Sequence, residues 1–176
     1  DNMINEVLQR MNYERIELDH PPGKNYWDES RAILITYGDS IISPTEPPLA
    51  SLNEFVEQRL GDVVSDVHIL PFFPSSSDDG FAVKDYLSVD GELGQWSDIE
   101  LICGNRGLLV DLVINHCSSE HPWFEQFKSN VSPGKDFFVE VDPLSDLSKV
   151  VRPRTSELLR ETEREDGSTF VWCTFS

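Results

Sequence analysis

Apolar residues follow two alternating rhythms along this chain. Met3, Ile4, Val7, Leu8 and Met11 recur at helical spacing and predict an amphipathic N-terminal helix. Pro21-Pro22-Gly23 then breaks the chain. Ala32 to Tyr37 is a short run rich in β-branched residues and predicts a first strand. Ser51 with Glu54 three residues on reads as a capping box, and Leu52, Phe55, Val56 and Leu60 give the helix behind it an apolar face. Val67 to Leu70 predicts a second strand that stops at Pro71, followed by a polar loop to about Asp90. Trp96, Ile99 and Ile102 predict another helix, with Ser97 as its cap. Leu108 to Ile114 predicts a third strand, and Pro122 to Phe127 a short helix.

Continuous apolar strands separated by helices indicate a parallel sheet covered on both faces. Ile33, Ile35, Ile69, Val110 and Leu112 are expected on its interior face. From Asp136 the pattern changes. Phe137-Phe138-Val139 and Val171-Trp172-Cys173-Thr174 read as short strands, with Pro143, Pro153 and many charges between them. That stretch is too long for a plain connection and reads as an inserted subdomain. Three strands with open edges do not close a (β/α)8 barrel, which needs about 250 residues. The expected fold class is therefore α/β, the N-terminal part of such a barrel. Residues 1–26 are a helical extension, 27–135 the first three β/α units and 136–176 an inserted domain B leading toward a fourth strand. The chain is expected to be part of a longer protein, and to be inactive and poorly folded alone.

The net charge of −18, from 32 acidic and 14 basic residues, disfavours nucleic acid and anionic membrane surfaces as partners. It leaves a small neutral substrate open. No apolar run approaches the length of a membrane span, and the first residues lack the pattern of a signal peptide. Cys103, Cys117 and Cys173 have no CxxC spacing, so neither a disulfide frame nor a metal site is indicated. A cytoplasmic location is expected, and the oligomeric state stays open.

Polar groups at the carboxyl ends of parallel strands are how barrel enzymes build a site. Asp78 and Asp79 lie in such a loop, where a carboxylate can accept two sugar hydroxyls or simply stabilise a turn. Phe81 can stack on a sugar ring or pack in the core. Asp111 lies within an apolar strand and needs a partner, expected to be an arginine or a backbone donor. His116 ends the same strand and can donate to a substrate oxygen. His68 reads as a satisfied core histidine, and His20 and His121 as bystanders. Arg152-Pro153-Arg154 can bind an anion or form a charged surface. Cys117 has no base arrangement that would mark it as a nucleophile.

Asp111-Leu112-Val113-Ile114-Asn115-His116 resembles the first signature region of the α-amylase superfamily, glycoside hydrolase family thirteen. Ile35 to Asp39, His68 to Phe73, Asp78-Asp79-Gly80-Phe81, Asp85-Tyr86, Asp136-Phe137-Phe138, Arg152-Pro153-Arg154 and Val171 to Ser176 resemble its sucrose phosphorylase branch. Trp27-Asp28-Glu29 and Ser76 to Phe81 look most like the glucosylglycerate phosphorylase members.

The resemblance implies a (β/α)8 barrel with domain B after the third strand. It implies a glycosyltransferase-type phosphorylase that forms α-glucose 1-phosphate through a glucosyl-enzyme intermediate. Inorganic phosphate is then a co-substrate, with no other cofactor and no metal. By motif, Asp78 and His116 hold glucose hydroxyls, Phe81 lines the donor subsite and Tyr86 lies in the substrate-side loop. Asp111 braces an arginine near the nucleophile, with Asn115 as structural support. The nucleophilic Asp and the acid/base Glu are expected beyond Ser176, so no catalytic residue is assigned here. Leu158 to Glu163 departs from the branch, so this loop does not identify the acceptor. An α-amylase-type hydrolase and a non-catalytic sugar-binding module are the other readings.

Overall fold

A computed structural model describes residues 28–151 and 156–173. The predicted N-terminal helix, His20, Trp27, the Arg152 to Arg154 motif and Thr174 to Ser176 lie outside the described residues. Residues 28–31 form a turn in which Asp28 Oδ1 accepts from the Ser30 amide at 2.9 Å. From Ala32 onward the chain forms one compact unit.

Its elements run β1 (Ile33–Thr36), α1 (Pro48–Phe55), β2 (Asp66–Ile69), α2 (Trp96–Cys103), β3 (Gly107–Val110), α3 (Pro122–Lys128), β4 (Leu159–Arg164) and β5 (Gly167–Trp172). β1, β2 and β3 form a parallel sheet in that order, and β4 and β5 pair antiparallel. The parallel β/α alternation read from the sequence is present.

The register explains the core. Leu34 pairs with Val67, Thr36 with Ile69, and Ile69 with Val110, so these side chains share one face of the sheet. Val67 and Ile69 are fully buried there beneath Leu49, Leu52 and Val56 of α1 and its π-helical extension (Val56–Leu60), and Ile99 and Ile102 of α2. Burying each such side chain is worth about 1.5–3 kcal/mol. Ile35 and His68 pair on the opposite face. The expected interior set is therefore corrected. Ile33 and Ile35 share the face of His68, whereas Ile69 packs under the helices and Val110 lies on that same side.

Several boundaries also differ. α1 begins at Pro48, with Pro47 as its N-cap, and Ser51 is buried within it with its hydroxyl on Glu46 Oε1 at 3.0 Å. Proline at the first helical position supplies the start without a side-chain cap. Gln95, not Ser97, precedes α2, and its amide donates to Asp98 Oδ2 at 2.8 Å. β3 stops at Val110 because β2 stops at Ile69, where the chain turns into Pro71. Phe137 to Val139 is not a strand. It lies beside β5, where Val139 O accepts from the Trp172 amide at 2.9 Å. The strand paired with β5 is the charged segment Leu159–Arg164, closed by Gly167 at φ 128°.

Arg164 fixes this hairpin to α3. Its guanidinium lies 4.6 Å from the centre of the Phe127 ring, and Nη1 donates to Glu140 Oε1 at 2.6 Å. The other oxygen of Glu140 accepts from the Thr169 hydroxyl of β5 at 2.8 Å.

Candidate active site

The loop after β2 folds back on itself. The Lys84 amide donates to Pro74 O at 2.7 Å and the Ser76 amide to Ala82 O at 3.0 Å, leaving residues 77–81 as the tip. Asp78, Asp79 and Gly80 occupy three successive positive-φ positions there, at 61°, 51° and 95°. Aspartate tolerates that conformation better than most side chains, and Gly80 is required by space as well. A Cβ on Gly80 would lie 2.6 Å from Pro71 O, so the tip sits directly on the end of β2. Phe81 follows, with its amide on Asp78 O at 3.0 Å.

The segment after β3 is bound to this loop. Ser118 and Ser76 hydroxyls lie 2.6 Å apart, and the Ser118 amide donates to Val83 O at 2.9 Å. Tyr86 supplies a second tie. Its hydroxyl donates to Val113 O at 2.7 Å, with His116 O at 3.3 Å. Burial, with a smaller contribution from Cys117, pushes that phenol up to about 12, so it remains a donor. The ring of Tyr86 stacks on Trp123 at 5.7 Å and meets Phe73 edge-on at 5.8 Å. The Asp78 loop and the Asn115-His116 turn are thus held side by side.

Asp111 takes His68 as its partner. His68 Nε2 donates to Asp111 Oδ2 at 2.9 Å between half-buried side chains. Among the described residues this pair gives Asp111 its partner, and it satisfies His68 within β2. His121 has a structural task. Its Nδ1 accepts from the Trp123 amide at 3.0 Å and caps α3, and burial lowers its pKa while Asp85 opposes that shift. Cys117 is pushed up to about 11 by burial, which favours the unreactive thiol.

A cavity of about 810 Å³ opens beside this assembly. It falls within the range of roughly 300–1,000 Å³ usual for small-molecule sites. Tyr86, Asn115, His116, Phe137, Arg160 and Trp172 are among the residues that line it. Asp78, Phe81 and Asp111 are not in its lining, although Ser76 and Ser77 next to Asp78 are. Sequence reasoning passed over Ser76, Ser118, Trp123 and Arg160. Only Asp166-Gly167, a hairpin-turn dipeptide, signalled the strand that carries Arg160. Among the described residues no three His, Cys, Asp or Glu side chains converge to hold a metal ion, and no helix is long and apolar enough to cross a membrane.

Comparison with known proteins gives a consistent answer. The alpha-amylase family, described as the alpha amylase catalytic domain, matches residues 58–166. The chain is 49% identical over 150 residues to a glucosylglycerate phosphorylase of Allomeiothermus silvanus, covering 85% of this chain and 27% of that protein. It is 46% identical over 158 residues to the glucosylglycerate phosphorylase of Spirochaeta thermophila, covering 90% and 27%. The crystal structure of a sucrose 6F-phosphate phosphorylase from Thermoanaerobacter thermosaccharolyticum superposes with a TM-score of 0.73 at 33% identity, covering 85% of this chain and 32% of that one. The chain therefore spans little more than a quarter of the length of these curated relatives.

Proposed function

The chain belongs to the alpha-amylase family, and from that premise we propose that it supplies the first three β/α units and the start of the inserted domain of a glucosyl-transferring phosphorylase. Its units are residues 1–26, 27–135 and 136–176. The reaction is reversible phosphorolysis of an α-glucoside such as glucosylglycerate or sucrose to α-glucose 1-phosphate. The enzyme works in the cytoplasm on small molecules, with inorganic phosphate as co-substrate.

The observation that carries this reading is the tie between two strand-end loops. Ser76–Ser118 and the Tyr86 hydroxyl hold the Asp78 tip beside the Asn115-His116 turn. In this reading Asp78 accepts from glucose hydroxyls and His116 donates to one. Phe81 stacks on the ring, and the Asp111–His68 pair and Asn115 support the turn. Such contacts speed glucosyl transfer when they tighten as the ring flattens toward an oxocarbenium ion. The nucleophilic carboxylate and the acid/base carboxylate come from later strands of the barrel. The nucleophile displaces the aglycone, the acid protonates the leaving oxygen, and phosphate then displaces the nucleophile, so two inversions retain the anomer.

The test is the complete gene product incubated with glucosylglycerate, sucrose or glucosylglycerol, with and without phosphate. Glucose 1-phosphate that forms only with phosphate supports the reading. Release of glucose alone at a rate indifferent to phosphate moves the protein to the hydrolases.

A further inference from the structure

Arg160 is an exposed cation with no ion pair among the described residues, in a chain short of cations. The sequence has 14 basic residues against 32 acidic ones. Arg106 is paired with Glu57, and Arg164 with Glu140 and Asp166. The guanidinium of Arg160 makes no hydrogen bond or ion pair among the described residues. Yet it lines the same cavity as Tyr86, Asn115 and His116. In the ladder Arg160 pairs with Val171, and alternation puts it on the same face of β4 as Thr162. Val171 and Thr162 are both buried and both line the cavity. Asp136, the carboxylate in that lining, forms no ion pair with it.

This arrangement solves an electrostatic problem. A chain of net charge −18 repels an anion approaching its surface. A cavity that must admit one needs a local positive group, and an uncommitted guanidinium presents a planar fork of donors matched to carboxylate or phosphate. A counter-ion from the protein would cancel that effect. The geometry points to an anion subsite in which Arg160 binds the charged group of the partner in glucosyl transfer. That group is either the carboxylate of a hydroxy-acid acceptor or the phosphate co-substrate. This inference rests on the proposed glucosyl-transfer function and assigns the anionic half of its site.

Titration calorimetry of the complete gene product with D-glycerate, inorganic phosphate and glycerol tests it, in the unmodified protein and in Arg160→Gln and Arg160→Lys. The expected result is that Arg160→Gln weakens binding of one or both anions roughly ten- to a hundredfold, as for loss of a hydrogen bond between charged groups. Glycerol binding stays unchanged, and Arg160→Lys falls between. Loss of glycerate alone assigns the acceptor carboxylate, and loss of phosphate alone assigns the co-substrate. Unchanged affinity for both anions in Arg160→Gln, or no binding of either anion to the unmodified protein, overturns the assignment. The titration needs no turnover, so failure of the subsite is read separately from an absence of phosphorolysis, which would overturn the proposed function.

Discussion

The hydroxyl of Tyr86 donates to the carbonyl of Val113 at 2.7 Å and lies 3.3 Å from the carbonyl of His116. One phenol therefore spans the segment from Val113 to His116, which carries Asn115. Its donor is committed to backbone, so Tyr86 is expected to position His116 as well as line the cavity. Tyr86→Phe keeps the stack on Trp123 and removes only the donor. The expected cost is about 0.5–1.5 kcal/mol of stability, with kcat reduced more than KM is raised in a phosphorolysis assay. The pH dependence has a definite sign. The folded pKa of about 12 lies above the ordinary value of 10.0, so this stabilisation is complete below pH 10 and is lost as pH rises toward 12. Thermal melts of the two proteins should converge over that window. A constant gap between them would contradict the assignment.

Asp78 and Asp79 adopt similar positive-φ backbones, so asparagine is the fitting replacement at both. Asp78→Asn should lower kcat/KM roughly ten- to a hundredfold, the effect of a lost charged hydrogen bond of about 1.5–3 kcal/mol. Asp79→Asn should change it much less. Equal losses in steady-state kinetics would mean that the two carboxylates share the role.

Gly80→Ala probes the same loop through its backbone. The new Cβ meets Pro71 O at 2.6 Å in a positive-φ conformation. The expected destabilisation is about 1–3 kcal/mol, read by urea denaturation, together with a raised KM for the glucoside. A melt and KM like those of the unmodified protein would show that the tip can move away without consequence.

Arg164→Leu tests the docking of the β4–β5 hairpin. It removes the contact over Phe127 and the bonds to Glu140 and Asp166. The carboxylates are exposed enough for water to screen them, so the loss should be about 1–3 kcal/mol, mostly from packing. Arg164→Lys should recover only part, because an ammonium lacks the planar face. Limited proteolysis should cut the Leu variant near residues 164–168 first. An unchanged cleavage pattern would show that other contacts hold the hairpin.

The parallel core was readable because each strand is a short apolar run and its covering helices repeat at helical spacing. Val67 and Ile69 beneath Leu52 and Ile102 follow from those runs together. Which face each residue takes was less readable, because β1 is apolar at three successive positions and only the ladder register puts Ile35 with His68. β4 escaped notice because Arg160-Glu161-Thr162-Glu163-Arg164 is almost wholly polar, and its pairing comes from the Asp166-Gly167 turn and from Arg164 on Phe127. The candidate residues Asp78 and His116 were marked by strand-end motifs. Their proximity depends on Ser76–Ser118 and on Tyr86, ties that span 42 and 27 residues and leave no local pattern.

The most direct test of glucosyl transfer to phosphate is the anomeric configuration of the product. The complete gene product should be given glucosylglycerate and phosphate, and the initial product followed by proton and phosphorus NMR. The account predicts α-glucose 1-phosphate from the first spectrum onward, with no glucose ahead of it. β-Glucose 1-phosphate, or free glucose as the sole initial product, would contradict it.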